Sequence, residues 1–326
     1  MSLPLYALQQ LINALSIGSL YALMAVGLAM VFGILRLINF AHGDLMMVAA
    51  YIAAFSLLAG IPLPIALLLM VLGTILVAVL MERIAYRPIR FAPPVAALLT
   101  SFAVGQILQN SALLTSRFAQ QPLQIAFPPI EALRGVITIG ALTIPRVNLF
   151  SLVLGIVLLV LLSLFVTRTT LGLSMRAAAQ DIQAAQLMGI DTNRVIVTAF
   201  VIGAILASVA GLLYAVQTGT VNPDMGFSPV LKAFIAAVIG GFGSIAGAVA
   251  GGYALGLLEV ILTAVPGLGD ILPAATTTPG VIQFFKTYLP GSLTSYRDAF
   301  VFIVLILLLL VRPGGILGTS DSENTR

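Results

Sequence analysis

Arg168 to Arg194 reads RTTLGLSMRAAAQDIQAAQLMGIDTNR, a polar passage between two uncharged runs, Val147 to Thr167 and Val195 to Pro223. Each run can cross a bilayer, because a helix rising about 1.5 Å per residue needs about 20 apolar residues for about 30 Å of hydrocarbon. The passage between them is no third span, since it carries Arg176, Gln180, Asp181, Gln183 and Gln186. Its centre, Met175 to Met188, holds five alanines among other strong helix formers. Ser174 is the expected N-cap and Gly189 the expected C-terminal glycine. A short surface helix between two spans makes the fold class all-α and polytopic. Two readings of that helix stay open: a solvated connector whose alanines merely favour helix, or a foot whose small side chains admit another protein's groove.

Composition agrees with the spans. The 326 residues are 60% hydrophobic and 8% charged, against about 25% charged in a soluble domain. No cysteine is present, which excludes disulfides, thiol catalysis and cysteine metal sites. The net charge of +4 comes from dispersed basic residues, a pattern suited to loops facing anionic lipid and not to nucleic-acid binding. No charge precedes Arg36, so Met1 to Ile34 is expected to be a retained span and not a cleaved signal.

Taken in order, Leu5 to Leu35 exceeds one perpendicular span, and a tilt or break is expected. Asp44 to Glu82 encloses an uncharged stretch split at Gly60 to Pro64, where two prolines call for a turn. Arg83, Arg87 and Arg90 form a dense basic cluster, cytosolic by the positive-inside rule. Val95 to Thr115 is the fourth span, and residues 116–146 read as an external loop with some local structure. Pro229 to Phe242 spans roughly 20 Å as a helix, enough only for an inward half-helix. Ser244 to Ala264 returns outward, residues 265–297 form a second external loop, and Ala299 to Val311 is the last span. The whole of 1–326 is one transmembrane domain of eight to ten crossings, nine on this count, with residues 168–194 in the cytosol.

Residues 5–90 and 194–264 share an order of features. Asn13 to Gly18, Asn39-Phe40 and Leu80-Met81-Glu82 in the first match Thr198 to Gly203, Asn222-Pro223 and Leu257-Leu258-Glu259 in the second. Starting on opposite sides of the membrane, they form an inverted repeat, or else the order is chance similarity between oily stretches. Inverted repeats place transport paths at their interface, lined by interrupted helices.

Irregular backbone at membrane depth is tolerated only when buried in protein or lining a cavity. Two stretches qualify as candidates for a translocation path. In Asn39 to Asp44, Gly43 is expected to supply a bend, while Asn39, His42 and Asp44 offer donors and acceptors. In Gly219 to Gly226, Asn222-Pro223 is expected to stop the helix, with Asp224 at the mouth. His42 is the only histidine. It either satisfies a local hydrogen bond or performs a proton step, and no second ligand at metal spacing accompanies it. Asp44 is equally a cap for the following helix. Glu82 and Glu259 read as span-end residues, paired or solvated. Gly243, Gly247 and Gly251, beside Gly252 and Gly256, form a smooth strip for close helix packing. The only lysines are Lys232 and Lys286, and neither follows a glycine. A phosphate-binding Gly-Lys loop is therefore missing, and the chain is not expected to be an enzyme or to hold a cofactor.

Several ordered motifs carry a family resemblance. They are Ile38-Asn39-Phe40-Ala41-His42-Gly43-Asp44, Glu82-Arg83-Ile84-Ala85-Tyr86-Arg87-Pro88, Gly240-Gly241-Phe242-Gly243-Ser244-Ile245 and the closing Arg312-Pro313-Gly314-Gly315-Ile316-Leu317-Gly318. With these, the chain resembles the branched-chain amino acid permeases of ABC importers. The resemblance implies that the 168–194 segment docks on an ATPase through Arg176, Ala177, Ala179, Asp181, Ala184, Ala185, Leu187, Gly189 and Ile190. It also implies a second homologous permease, two ATP-binding subunits, a periplasmic solute-binding protein that supplies most selectivity, and a bacterial inner membrane. A urea or short-amide permease of the same family is the nearest alternative. An ion-coupled secondary transporter is more distant, since it should carry ionisable groups deep within its spans.

Overall fold

The computed structural model describes residues 3–90, 92–140, 142–264, 296–312 and 314–315. The expected external loop of residues 265–297 lies outside them except at its end, as do Pro313 and Ile316-Leu317-Gly318 of the closing motif.

Eleven α-helices appear among the described residues: α1 Leu3–Leu35, α2 His42–Leu58, α3 Leu63–Met81, α4 Pro94–Phe118, α5 Arg146–Arg168, α6 Thr170–Gln180, α7 Ile182–Leu187, α8 Thr192–Thr218, α9 Phe227–Gly240, α10 Ile245–Ala264 and α11 Arg297–Val311. Six are long and apolar enough to cross a membrane: α1, α3 with its continuation to Ile89, α4, α5, α8 and α10. Three shorter apolar helices, α2, α9 and α11, accompany them. The protein is an all-α, multi-pass membrane protein.

α1 and α8 form the centre. α1 packs against α5, α8, α9 and α10, while α8 packs against α1, α2 and α3. Small residues permit this closeness. A Cβ on Gly252 would lie 2.5 Å from the Ala22 backbone, and one on Gly256 2.5 Å from that of Gly18. Gly247 and Gly251 turn the other way, onto the backbone carbonyls of Gly240 and Ala236 in α9. The strip therefore serves two neighbours of α10. Gly243 is not part of it; it precedes the helix in a turn, at φ 85°.

α1 runs unbroken for its 33 residues. Residues Glu82–Tyr86 close α3 as one π turn. The 116–146 region holds a hairpin, Val136–Ile139 with Leu142–Pro145, and a strand Ile125–Ala126 that pairs with Thr220–Val221 after α8.

The 168–194 segment is two helices and not one. Thr169, not Ser174, caps α6 by accepting from Gly172 N at 3.0 Å; the Ser174 hydroxyl instead bonds back to Thr170 O. Asp181 interrupts the run, because its carboxylate caps α7 by accepting from Gln183 N and Ala184 N. Gly189, at φ 81°, follows α7 as a C-terminal glycine.

Candidate functional site

Three long helices serve as rulers for depth. Arg36, Thr192 and Pro94 begin or end α1, α8 and α4 at the end of the molecule that carries α6 and α7. Arg36 reaches Ala179 O of α6 at 3.4 Å, and Arg90 bonds Asn193 at 2.6 Å. His42 lies against Gly27 of α1 and Gly203 of α8, and Asp44 lies against Gly105 of α4. Gly27 is nine residues from Arg36, and Gly203 and Gly105 are each eleven from their helix starts, which is about 13 to 17 Å at the helical rise. All three rulers put the start of α2 near the middle of a hydrocarbon layer of about 30 Å.

The chain reaches that depth through an irregular segment. The break after α1 is made at Arg36, whose φ of 56° is left-handed. Gly43 does not bend the chain, being already in the first turn of α2. Its missing side chain lets Gly226, at the N-terminal edge of α9, approach backbone to backbone, and Gly226 needs the same freedom in return. The second interruption likewise differs from expectation. α8 ends at Gly219, φ 71°, four residues before Pro223. Residues 220–226 then carry the chain to Gly226, so α9 also begins at mid-depth.

The polar groups of the two segments divide. Asn39 Oδ1 accepts from Tyr86 Oη at 2.7 Å, which ties the first segment to the π turn. His42 is buried among α1, α2 and α8, and its Nε2 has no hydrogen-bond partner. Asn222 Oδ1 is also buried without one. Asp44 faces elsewhere. Together with Phe40, Ser101, Phe102, Gly105, Gln106, Gln109, Asp224, Gly226, Phe227, Ser228 and Val230, it lines a cavity of about 320 Å³ between α2, α4 and α9. Gln109 Nε2 donates to Asp44 Oδ1 at 2.8 Å. Asp44, Ser101, Gly105, Gly226 and Val230 are buried, whereas Phe102, Gln106, Asp224, Phe227 and Ser228 are exposed at the mouth.

A second polar centre lies behind α9. Lys232 Nζ meets Glu259 Oε1 of α10 at 2.9 Å and Asp298 Oδ1 of α11 at 3.1 Å. Tyr21 of α1 donates to Glu259 Oε2 at 2.5 Å, with the Lys232 ammonium 5.6 Å from its ring centre. Glu259, five residues from the end of α10, is therefore paired and not solvated, part of a network that clamps α9 to three neighbours. Glu82 is equally buried, paired with Arg90. Nothing in spacing joins Lys232 to Glu259. The available signal was that each stands alone in a long uncharged stretch, and such residues need partners.

The candidate coupling residues lie at the α6–α7 end. Ala184, Leu187, Met188 and Gly189 are exposed, as are Arg176 and Asp181. Ala177, Ala179 and Ile190 are half-buried, while Ala178 and Ala185 face inward. The turn motif and the closing motif also meet here, because Gly315 packs on Gly241 N so closely that a Cβ would lie 2.6 Å away.

Residues 10–309 match the family model for the permease component of branched-chain amino acid transport systems. The chain belongs to that family. It is 37% identical over 325 residues to the high-affinity branched-chain amino acid transport permease BraD of Pseudomonas aeruginosa, covering 97% of each chain. It is 36% identical to LivH of Escherichia coli, over 98% of each. A probable branched-chain permease of Methanocaldococcus jannaschii is 25% identical, over 94% of this chain and 91% of that one. A solved structure titled PsaBC from Streptococcus pneumoniae in complex with Fab overlays with a TM-score of 0.45 at 17% identity, over 90% of each chain.

Two outer helices of the permease contrast in a way that bears on the cavity. In α4 and α5 alike only 22% of the most apolar window is buried, yet the mean hydropathy is 1.3 for α4 and 3.1 for α5. The exposed side of α5 is Val153, Val157, Val160, Leu161 and Leu164, a surface for acyl chains. α4 exposes Gln106 and Asn110 at similar depth. Amides facing hydrocarbon are costly, so this part of α4 requires protein or water beside it. The cavity opens on that side.

Proposed function

We propose that this chain is the membrane-spanning permease subunit of an ATP-driven importer of branched-chain and other hydrophobic amino acids in a bacterial inner membrane. The observation that carries the reading is similarity over nearly the whole chain to relatives described as high-affinity branched-chain amino acid permeases. The path runs through the junction of α2 and α9, past Asp44 on one side and Asp224 on the other, while Asn39, Gly43, Asn222 and Pro223 shape the two breaks and His42 stays enclosed between α1 and α8. Its facing wall comes from a second, homologous permease set against α4. A periplasmic binding protein delivers the solute, and two separate subunits hydrolyse ATP.

Force enters at α6 and α7. Leu187 and Met188 are 89% and 83% exposed at the end of a short helix. Apolar side chains presented this way favour a partner's apolar groove. Arg176, Ala177, Ala179, Asp181, Ala184, Gly189 and Ile190 shape the same foot, while Ala185 seats it on the permease. α6 packs on α1, α5 and α8. A push on the foot therefore reaches the two helices that hold His42 between Gly27 and Gly203, and α2 and α9 rock about their contact. Such a two-state element is what ATP-driven alternation needs.

Purification of the native complex tests this. The expected result is co-recovery of an ATPase and ATP-dependent leucine uptake after reconstitution. Leu187→Asp with Met188→Asp should release the ATPase and abolish uptake while the permease still inserts. Leucine uptake driven by an ion gradient without ATP would overturn the reading.

A further inference from the structure

Asp44 is 6% exposed. At mid-depth a carboxylate is expensive unless a cation or several donors stabilise it. Among the described residues no lysine or arginine forms an ion pair with it, and Gln109 supplies one neutral donor. Its backbone surroundings hold it in place: Gly105 brings α4 so near that a Cβ there would lie 2.5 Å from Asp44 Oδ2. The cavity it lines, about 320 Å³, falls within the range of about 300–1,000 Å³ usual for small-molecule sites. Phe40, Phe102, Phe227 and Val230 supply an apolar wall beside the carboxylate, and Asp224 adds negative charge at the mouth.

We infer that this cavity binds the transported amino acid, with the substrate ammonium as the counter-ion of Asp44 and its aliphatic side chain against Phe40, Phe102 and Phe227. The inference rests on the proposed cargo and adds a selective step inside the permease itself. A hydrophobic amine satisfies the site; a hydrophobic acid lacking the ammonium does not.

The test uses the assembled complex in proteoliposomes. Since the permease has no cysteine, Ser228→Cys places its single thiol at the cavity mouth, to be modified by an aminoethyl thiosulfonate and read by the intact mass of this chain. Leucine at ten times its Kd should slow modification about tenfold. 3-Methylbutylamine should protect, and 4-methylpentanoate and sodium ions should not. Adding Asp44→Asn, which keeps an acceptor for Gln109 but removes the charge, should abolish leucine protection. The same change on its own should raise the uptake KM at least about tenfold. Equal protection by 4-methylpentanoate, or by sodium ions alone, would overturn the inference even if the Asp44 variant failed to assemble. Unchanged protection and KM in that variant would do the same. A wild-type complex that takes up no hydrophobic amino acid would instead remove the cargo reading on which the inference depends.

Discussion

Asp44 and Lys232 are both charged groups in helices that begin at mid-depth, and both are buried, yet their surroundings are opposite. Lys232 touches two carboxylates from α10 and α11 and lies over the ring of Tyr21. Asp44 receives one amide hydrogen bond and borders a cavity. The difference separates two uses of intramembrane charge. One ammonium is neutralised within the chain and fastens α9 in position. One carboxylate is left facing open space, where an incoming cation completes it.

The largest expected effect breaks the fastened side. Lys232→Met removes the ammonium from Glu259 and Asp298 and should destabilise the permease by about 3–5 kcal/mol, measured by thermal unfolding in lipid nanodiscs. Adding Glu259→Leu should restore about 2 kcal/mol of that loss, since the two side chains are directly coupled; simple additivity would mean that the pair contributes nothing.

Next in size is the junction shared by both sides. Gly226→Ala forces a Cβ onto the Gly43 carbonyl and should cost about 1–3 kcal/mol, with α2 and α9 exchanging amide hydrogens faster. At the foot, Thr169→Ala or Asp181→Ala deletes a cap and should cost about 1 kcal/mol, seen as faster exchange confined to α6 or α7. The smallest change belongs to the open side. Asp44→Asn should alter thermal stability by no more than about 1 kcal/mol, because an amide oxygen still accepts from Gln109. A loss from Asp44→Asn as large as that from Lys232→Met would erase the contrast between the two charges.

Much of this was legible in the chain. The uncharged runs located α1, α3, α4, α5, α8 and α10, because length and apolarity alone specify a span. Gly60 to Pro64 marked the turn between α2 and α3, and Pro229 to Phe242 was recognisably too short to cross. The local chemistry of the breaks was read less well. Ser174 was a plausible cap, but Thr169 and Asp181 won because each accepts from the free N–H groups of a real helix start. Gly43 was expected to supply a bend; it is a contact point for Gly226, and only the fold shows what each backbone meets. Glu259 was read as paired or solvated, and it is paired, but its partner Lys232 was not foreseen, since that residue lies on another helix 27 positions away.

By itself the sequence determined a multi-pass helical membrane protein, its family, and the polar foot between α5 and α8. Those follow from hydropathy, which acts on each segment separately, and from motifs read along the chain. Tertiary structure decided which interrupted helices meet, that Lys232 is neutralised, and that Asp44 shares a cavity with α4, whose contribution of Ser101, Gly105, Gln106 and Gln109 no motif announced. The physical reason is that pairing and cavity shape depend on residues from 27 positions apart, as in Lys232–Glu259, to 238 apart, as in Tyr21–Glu259, brought together only when small side chains let the helices close upon each other.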